Sequence, residues 1–313
     1  MLELVKDDVA GDPQNGQRWI KRSLSKIQSR MVAQGYELAC GTIGRLLRQN
    51  DLSPKSNVKR LTPKPHPDRD RQFVHIQQLR EVFVKLGQPT VSVDTKKKEL
   101  IGNFFQAGQT WCEEATPVNM HDFPSAALGK AVPYGVYDVQ NHKGHVFVGQ
   151  SADTPEFAVD NLVDWWQETG RWDWPEAFAL LVLADAGGSD GYRPRRWKQQ
   201  LQIKLADPFN LAVFVAHYPS GASKWNPIEH RLFSQISQTW AGTPLTSFDR
   251  VVDAIHHTTT STGLIVDATL VTDHYETGLS VSDAEMASLN LVPHATCPQW
   301  NYTIYPRNSG SYF

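Results

Sequence analysis

Three carboxylates stand where oxygen ligands for hard cations would be needed. Asp94 and Asp185 each close an apolar, β-rich run, and Glu229 lies three residues into a segment opened by Asn226 and Pro227. Chemistry on a phosphodiester calls for such ligands, because two divalent cations held about 4 Å apart activate an attacking oxygen and stabilise a leaving one. A side chain at a strand end projects from the sheet edge, and where strands run parallel, ligands gather at their carboxyl ends. With the runs 90–93 and 178–184 parallel and adjacent, Asp94 and Asp185 would sit side by side, their repulsion relieved by bound cations. The plainer reading of each aspartate is a strand-end turn residue. Glu229 has a sharper alternative, because Asn226, Pro227, Ile228 and Glu229 also read as N-cap, N1, N2 and N3 of a helix, with glutamate in the capping-box position. Both readings stay open from spacing alone.

Around these carboxylates the sequence places cations that suit a phosphate backbone. They are Lys96, Lys97 and Lys98 just past Asp94, Arg193, Arg195, Arg196 and Lys198 after the glycines Gly187, Gly188 and Gly191, and Lys224 ahead of Glu229. A solvated charge run and a tight strand-to-helix turn are the bland counterparts. Asp190 and His230 are the neighbours expected to tune the carboxylates. No Gly-Lys-Ser/Thr P-loop, H-E-x-x-H zinc signature or G-x-S-x-G nucleophile elbow occurs. His217 and the pair His256 and His257 read as structural. So do Trp165, Trp166, Trp197 and Trp225 as core residues, with stacking on an unpaired base the alternative for Trp225.

The elements that must position these groups follow from periodicity. A strand over 90–93, a hairpin of 133–139 and 145–149 about a turn at 140–144, a helix from Pro155 through Trp166 and a buried strand over 178–184 come first. A helix around 195–205, a strand over 211–215 and a helix from Pro227 to about Thr239 complete the run. The order predicts an α/β mixed sheet with flanking helices, a ribonuclease H-like arrangement. Upstream, helices over 19–32 and 42–47 joined at Gly35, the second carrying Arg45 and Arg48 outward, suggest a helix-turn-helix whose second helix enters the major groove. Pro54, Pro63, Pro65 and Pro67 mark a linker, and a helical pattern over 72–86 follows it. The expected divisions are a basic helix-turn-helix region 1–65, a linker and connecting helix 66–88, a catalytic domain 89–245 and a C-terminal extension 246–313 packed on it.

Charge supports that division. Residues 17–64 carry eleven Lys and Arg (Arg18, Lys21, Arg22, Lys26, Arg30, Arg45, Arg48, Lys55, Lys59, Arg60, Lys64) against Glu37 and Asp51, so this segment is +9 and the remainder −11 within a net charge of −2. A cationic module beside an acidic body suits duplex DNA on the one and metals on the other; a solvated basic surface is the alternative. With 40% hydrophobic and 20% charged residues the balance is that of a globular protein. The longest apolar run, 177–184, is too short for a bilayer, which needs about 20 residues. The start, 1–8, is acidic with no apolar export core, so a cytoplasmic protein with no membrane partner is expected. Cys40, Cys112 and Cys297 show no C-x-x-C spacing and are expected to be reduced, buried thiols.

Long runs resemble transposases of the ISAzo-thirteen insertion-sequence family. They are Ser92–Phe104 (SVDTKKKELIGNF), Lys130–Asp138 (KAVPYGVYD), Asp153–Val159 (DTPEFAV), Ala184–Arg193 (ADAGGSDGYR) and Ser223–Ser234 (SKWNPIEHRLFS), joined by His66–Phe73, His257–Leu264 and Trp300–Pro306. The likeness spans about residues 12 to 307. It implies a DDE domain of ribonuclease H-like fold, two bound Mg²⁺ or Mn²⁺ ions, and an N-terminal helix-turn-helix for element ends. It further implies cleavage and strand transfer of DNA by a bacterial protein that assembles as a homo-oligomer on DNA. The triad falls on Asp94, Asp185 and Glu229. Asp190 departs from the family's usual asparagine, and Pro219–Ala222 (PSGA) from its usual PPGT; the family's proteins tend to begin further upstream. The alternative functions are a transposase-derived DNA-binding protein that no longer cuts and a nuclease of the same fold without strand transfer.

Overall fold

The computed structural model describes residues 9–12, 17–20, 23–54 and 66–307. The chain divides into two compact units, Met1–Thr62 and Pro63–Phe313.

In the first unit a two-stranded ribbon, β1 (Val9–Asp12) and β2 (Gln17–Ile20), precedes two helices, Leu24–Ala33 and Cys40–Gln49. The expected helix start at Trp19 is therefore corrected. Residues 17–20 are taken by strand pairing, and the helix begins where the Ser23 hydroxyl accepts the Lys26 N–H at 3.3 Å, a side-chain N-cap. Its end falls at Gly35, with the Tyr36 N–H reaching back to the Met31 carbonyl. Ile27, Met31 and Ile43 form a small buried cluster between the helices, and the Gln28 amide donates to the Leu38 carbonyl at 2.8 Å to brace the turn. Arg45 and Arg48 are exposed on the second helix. Of the other cations of the basic segment, Lys21, Arg22, Lys55, Lys59, Arg60 and Lys64 lie outside the described residues, as does most of the proline-marked linker.

The second unit is built on a nine-stranded mixed sheet. Its strands are β3 (Thr90–Thr95), β4 (Glu99–Ile101), β5 (Gly129–Asp138), β6 (Lys143–Gly149), β7 (Ala179–Ala184), β8 (Ala212–His217), β9 (Ile265–Val271), β10 (Leu291–Pro293) and β11 (Asn301–Ile304). The order is β10-β11-β8-β7-β3-β5-β6-β9, with β4 paired to β5. At its centre β3, β5 and β6 are antiparallel, whereas β3, β7 and β8 run parallel. That is the ribonuclease H-like arrangement, an antiparallel meander followed by parallel strands. β7 is buried along its full length, which accounts for its unbroken apolar sequence. On one face the helix Pro155–Trp165 and the helical segment from Arg195 pack Phe157, Leu162, Trp165, Trp197 and Leu201 against the sheet. On another, Ile228, Leu232, Phe233 and Ile236 of the helical segment carrying Glu229 cover β5 and β6.

Residues past 245 enter this same sheet at both edges. β9 pairs parallel with β6, and β11 pairs antiparallel with β8. Among the described residues no helix is long and apolar enough to cross a membrane. Trp165, Trp166 and Trp197 are buried as expected, but Trp225 is 52% exposed, edge-on to Phe73 with the Lys224 ammonium over its ring, and is not core. The three cysteines are free; Cys112 is exposed, against expectation, because it lies in the irregular connection between β4 and β5.

Close packing of the Glu229 segment on the sheet depends on Gly135, opposite Asp94 in the β3–β5 ladder. A Cβ there would lie 2.7 Å from Ile228 Cδ1 and 2.7 Å from the Phe233 ring. Gly135→Ala is therefore expected to lower stability by about 1–3 kcal/mol through overpacking. Thermal denaturation checks this, and an unchanged midpoint would show that the two side chains give way freely.

Candidate active site

Asp94 reaches the site from β3, and Asp185 is the residue immediately after β7. In the parallel ladder Ser92 pairs with Leu183, so continuing the register by two residues sets Asp94 beside Asp185. Glu229 comes from the segment that follows β8 and packs over β5 and β6, at the start of a π-helical turn, Glu229–Phe233, opened by Asn226. Such wide turns recur where a helix must present a functional side chain. All three carboxylates are partly buried.

The junction that holds them is a buried polar cross-link. The Ser92 hydroxyl donates to Asn226 Oδ1 at 2.5 Å and accepts the Ile228 N–H at 3.0 Å, so a strand residue caps the helical segment. The Asn226 amide donates to the Val93 carbonyl at 3.1 Å and to Asp185 Oδ1 at 3.2 Å. The Asn226 N–H is occupied by the Ser223 carbonyl at 2.8 Å. With that donor engaged, the reciprocal half of a capping box does not form at Glu229, and its carboxylate is left to the site.

Behind Asp185 stands His217, at the end of β8 and fully buried. Its Nδ1 lies 2.9 Å from the Asp185 carbonyl and its Nε2 3.3 Å from the Tyr302 hydroxyl, which also accepts from Trp197 Nε1 at 2.9 Å. A carbonyl partner assigns the proton to Nδ1. Burial pushes the His217 pKa down to about 4, so the ring is neutral at pH 7. β11 thereby steadies the backbone that carries Asp185.

Electrostatics mark this as a place short of positive charge. Burial, then Asp190, Asp185 and Glu229, push the Asp94 pKa up to about 10. Burial and Glu229 raise that of Asp185 to about 6, opposed by the Asn226 hydrogen bond. Asp190 is 1% exposed and burial raises its pKa well above the carboxylate range, with Asp185 and Asp153 adding to the effect. Among the described residues no three His, Cys, Asp or Glu side chains close to metal-binding geometry. The donor set nonetheless suits hard divalent cations: oxygen ligands only, partly desolvated, with Asp185 and Glu229 both acting on Asp94.

These shifts have a stability consequence. A carboxylate whose pKa is raised in the folded state contributes stability that is complete below its unfolded value, near 3.8, and is lost as pH rises toward the folded value. Between pH 7 and 9, above the histidine range, Asp94 holds a proton that the unfolded chain has released. The metal-free protein is expected to lose stability there by up to about 1.4 kcal/mol per pH unit from this one group. Melting in EDTA at pH 7, 8 and 9 measures it; if Asp94→Asn shows the same slope as the wild type, the assignment to Asp94 is wrong.

The expected cations are placed unequally. Lys97, Arg193, Arg195 and Lys224 are exposed. Arg195 pairs with Asp283 at 2.6 Å, and Arg193 lies over the Tyr192 ring. Lys98 pairs with Asp153 at 3.0 Å, Arg196 with Glu156, and Lys198 sits half-buried over the Tyr302 ring. Lys96 departs from the expected solvated cation: it is 7% exposed, 4.5 Å above the Trp240 ring and 3.7 Å from Glu99, so it is enclosed by protein. His230 is exposed beside Glu229. Sequence reasoning passed over Ser92, Asn226 and His217 as site residues, and also Asp153, whose carboxylate accepts from the Thr95 hydroxyl at 3.2 Å next to Asp94. Only the DTPEFAV run pointed toward Asp153.

No curated protein matches the chain. Among solved structures it is similar to a Mos1 transposase paired-end complex with left transposon end, at 14% identity and a TM-score of 0.42 over 77% of this chain and 72% of that one. It is also similar to a Mos1 mariner paired-end complex with Mn, at 12% identity and 0.42 over 79% and 78%. Both likenesses are loose. The sequence profile of one family, described as Rhodopirellula transposase DDE domain, matches residues 1–306. Because that match takes in nearly the whole chain, both units included, the protein belongs to this family of transposase DDE domains.

Proposed function

We propose that the protein cleaves DNA strands at insertion-sequence ends and joins them to target DNA, with Asp94, Asp185 and Glu229 as the carboxylates of the reacting site. The observation that carries this reading is the convergence of three partly buried carboxylates from β3, the end of β7 and the Glu229 segment, two of them with pKa values raised by burial and by their neighbours. These residues would hold two Mg²⁺ or Mn²⁺ ions, which when bound supply the charge that activates an attacking oxygen and stabilises the leaving one.

The chain's own contribution is position. Asn226 orients the Asp185 carboxylate, and His217 fixes the backbone behind it. Partial burial keeps bulk water from competing at the carboxylates. Exposed Lys97, Arg193 and Lys224 suit a DNA backbone, while Arg45 and Arg48 on the second helix of the N-terminal unit suit element ends. Lys98, Arg195, Arg196 and Lys198, already engaged, contribute less. Bringing two ends together fits a homo-oligomer on duplex DNA, in the cytoplasm of a bacterium.

The test is a supercoiled plasmid bearing the element's ends, incubated with protein and Mg²⁺ or EDTA. Mg²⁺-dependent nicks at the ends and joined products are expected. Binding without nicks would identify a transposase-derived DNA-binding protein, and nicks without joined products a nuclease of the same fold; either outcome defeats the proposal as stated.

A further inference from the structure

β7 and β8 lie side by side and parallel, and their ladder runs to the pair Ala184 and His217, so the loops that follow them leave the sheet at the same level. Between those loops is a cavity of about 280 Å³, lined by Asp185, Gly187, Tyr192 and Arg193 from the first and by Ser220 and Ser223 from the second. Crevices at the carboxyl ends of parallel strands are where such sheets seat ligands. One wall is a carboxylate of the reacting site, so whatever fills the cavity lies against Asp185.

The other walls narrow the occupant. Arg193 Nε donates to the Tyr192 hydroxyl at 3.0 Å, and the guanidinium lies over the Tyr192 ring. Tyr192 in turn packs edge-on to His217, the residue behind Asp185, with ring centroids 6.3 Å apart. Arg195 and Arg196 are paired with Asp283 and Glu156, whereas among the described residues no carboxylate pairs with Arg193. Its two terminal nitrogens are left for a ligand, in the fork that fits two oxygens of a phosphate. Within the described residues the hydroxyls of Ser220 and Ser223 take part in no hydrogen bond, and a Cβ on Gly187 would meet no atom within 4 Å. Apart from Asp185, no acidic side chain lines the cavity. A guanidinium, hydroxyls and open backbone are groups that hold the phosphate and sugar of a strand. Because Arg193 and Asp185 share the cavity without forming an ion pair, the guanidinium meets a different phosphate from the one that reacts at Asp185.

We infer that this cavity seats the nucleotide next to the scissile phosphodiester, with the neighbouring phosphate on Arg193, so that Tyr192 and Arg193 position the strand for reaction at Asp185. This rests on the reading of Asp185 as a carboxylate of the reacting site. Arg193 acts here as a positioning residue, and Tyr192 acts by holding it.

Single-turnover, Mg²⁺-dependent cleavage of a duplex oligonucleotide carrying the element's end tests this, with wild type, Arg193→Ala and Arg193→Lys. Each enzyme is given the unmodified duplex and a series in which one phosphate at a time, on either side of the scissile one, is replaced by an uncharged methylphosphonate. Arg193→Ala is expected to slow cleavage by on the order of tenfold or more with an unchanged melting midpoint, and Arg193→Lys, which keeps the charge but not the fork, to recover part of that loss. A methylphosphonate at a phosphate adjacent to the scissile one is expected to slow the wild type by a similar factor and to leave Arg193→Ala no slower than it already is. A purely structural role for Arg193 would not produce that coupling. If Arg193→Ala cleaves within twofold of wild type, or if the two losses multiply at both adjacent phosphates, the cavity does not seat that nucleotide and the inference is overturned. Should the wild type show no Mg²⁺-dependent cleavage of the unmodified duplex, the underlying reading of the site fails, and this one with it.

Discussion

Asp185→Asn is expected to reduce Mg²⁺-dependent strand cleavage by on the order of 10³-fold or more while leaving the fold intact. The substitution exchanges a carboxylate for an amide of the same shape. Its oxygen can still accept from the Asn226 amide, which lies 3.2 Å from Asp185 Oδ1 in the wild type. The backbone behind it remains held by His217. What is lost is the negative charge and one of the oxygen donors, the properties a divalent cation requires. Burial already raises the pKa of Asp185 to about 6, so at pH 7 the metal-free wild type carries a desolvated charge that the amide lacks. The variant should melt at the same temperature as the wild type in EDTA, or higher, and should lose the rise in midpoint that Mn²⁺ gives the wild type. Cleavage equal to wild type would remove Asp185 from the reacting site. Lost cleavage with a lower midpoint in EDTA would point to a damaged fold.

Asp94 and Asp185 were legible in the sequence because a strand announces itself locally. The run Ala179–Ala184 is apolar at every position since both faces of β7 are covered, and the first carboxylate after it must leave the sheet at its end. Their adjacency needed one further premise, that β3 and β7 run parallel side by side, which the ladder register bears out. Glu229 stayed ambiguous because a capping box and a ligand at N3 have the same local sequence. What distinguishes them is the Ser92 hydroxyl, 136 positions from the Ile228 N–H it accepts, and no local window contains that pairing. His217 was dismissed for the same reason, since its partners come from β7 and β11. Lys96 was misread because charge patterning presumes a solvated side chain, whereas here Trp240 and Glu99 enclose it. At the N-terminus, apolar spacing extended the first helix back to Trp19, but strand pairing of β1 with β2 outweighed it. β10 and β11 are only three and four residues long, too short for a period-2 pattern to mark them, and pairing with each other and with β8 makes them strands.

Asn226→Ala should be the most damaging single change outside the triad, and it separates holding the fold from holding the site. The side chain is fully buried, accepts from Ser92, and donates to both the Val93 carbonyl and Asp185 Oδ1. Removing it strands three buried polar partners at once, which is expected to cost about 3 kcal/mol. For a unit of this size that corresponds to a fall in melting midpoint of roughly 6–12 °C. Ser92→Ala breaks the same junction from the other side and leaves the Ile228 N–H without its acceptor. The double variant should therefore be less destabilised than the sum of the two single ones, since the network fails as a unit. The consequence for cleavage is larger than that for stability. Asn226 ties β3, Asp185 and the start of the Glu229 segment together, so its loss frees Glu229 to shift against the two aspartates. Misplacement of a reacting group by about 1 Å costs on the order of 10²-fold in rate. Cleavage by Asn226→Ala, measured well below its melting midpoint where the fold is intact, should fall by about that factor. A rate that drops only in proportion to the unfolded fraction would mean that this junction secures the sheet and that Glu229 is positioned by the packing of Ile228 and Phe233 alone.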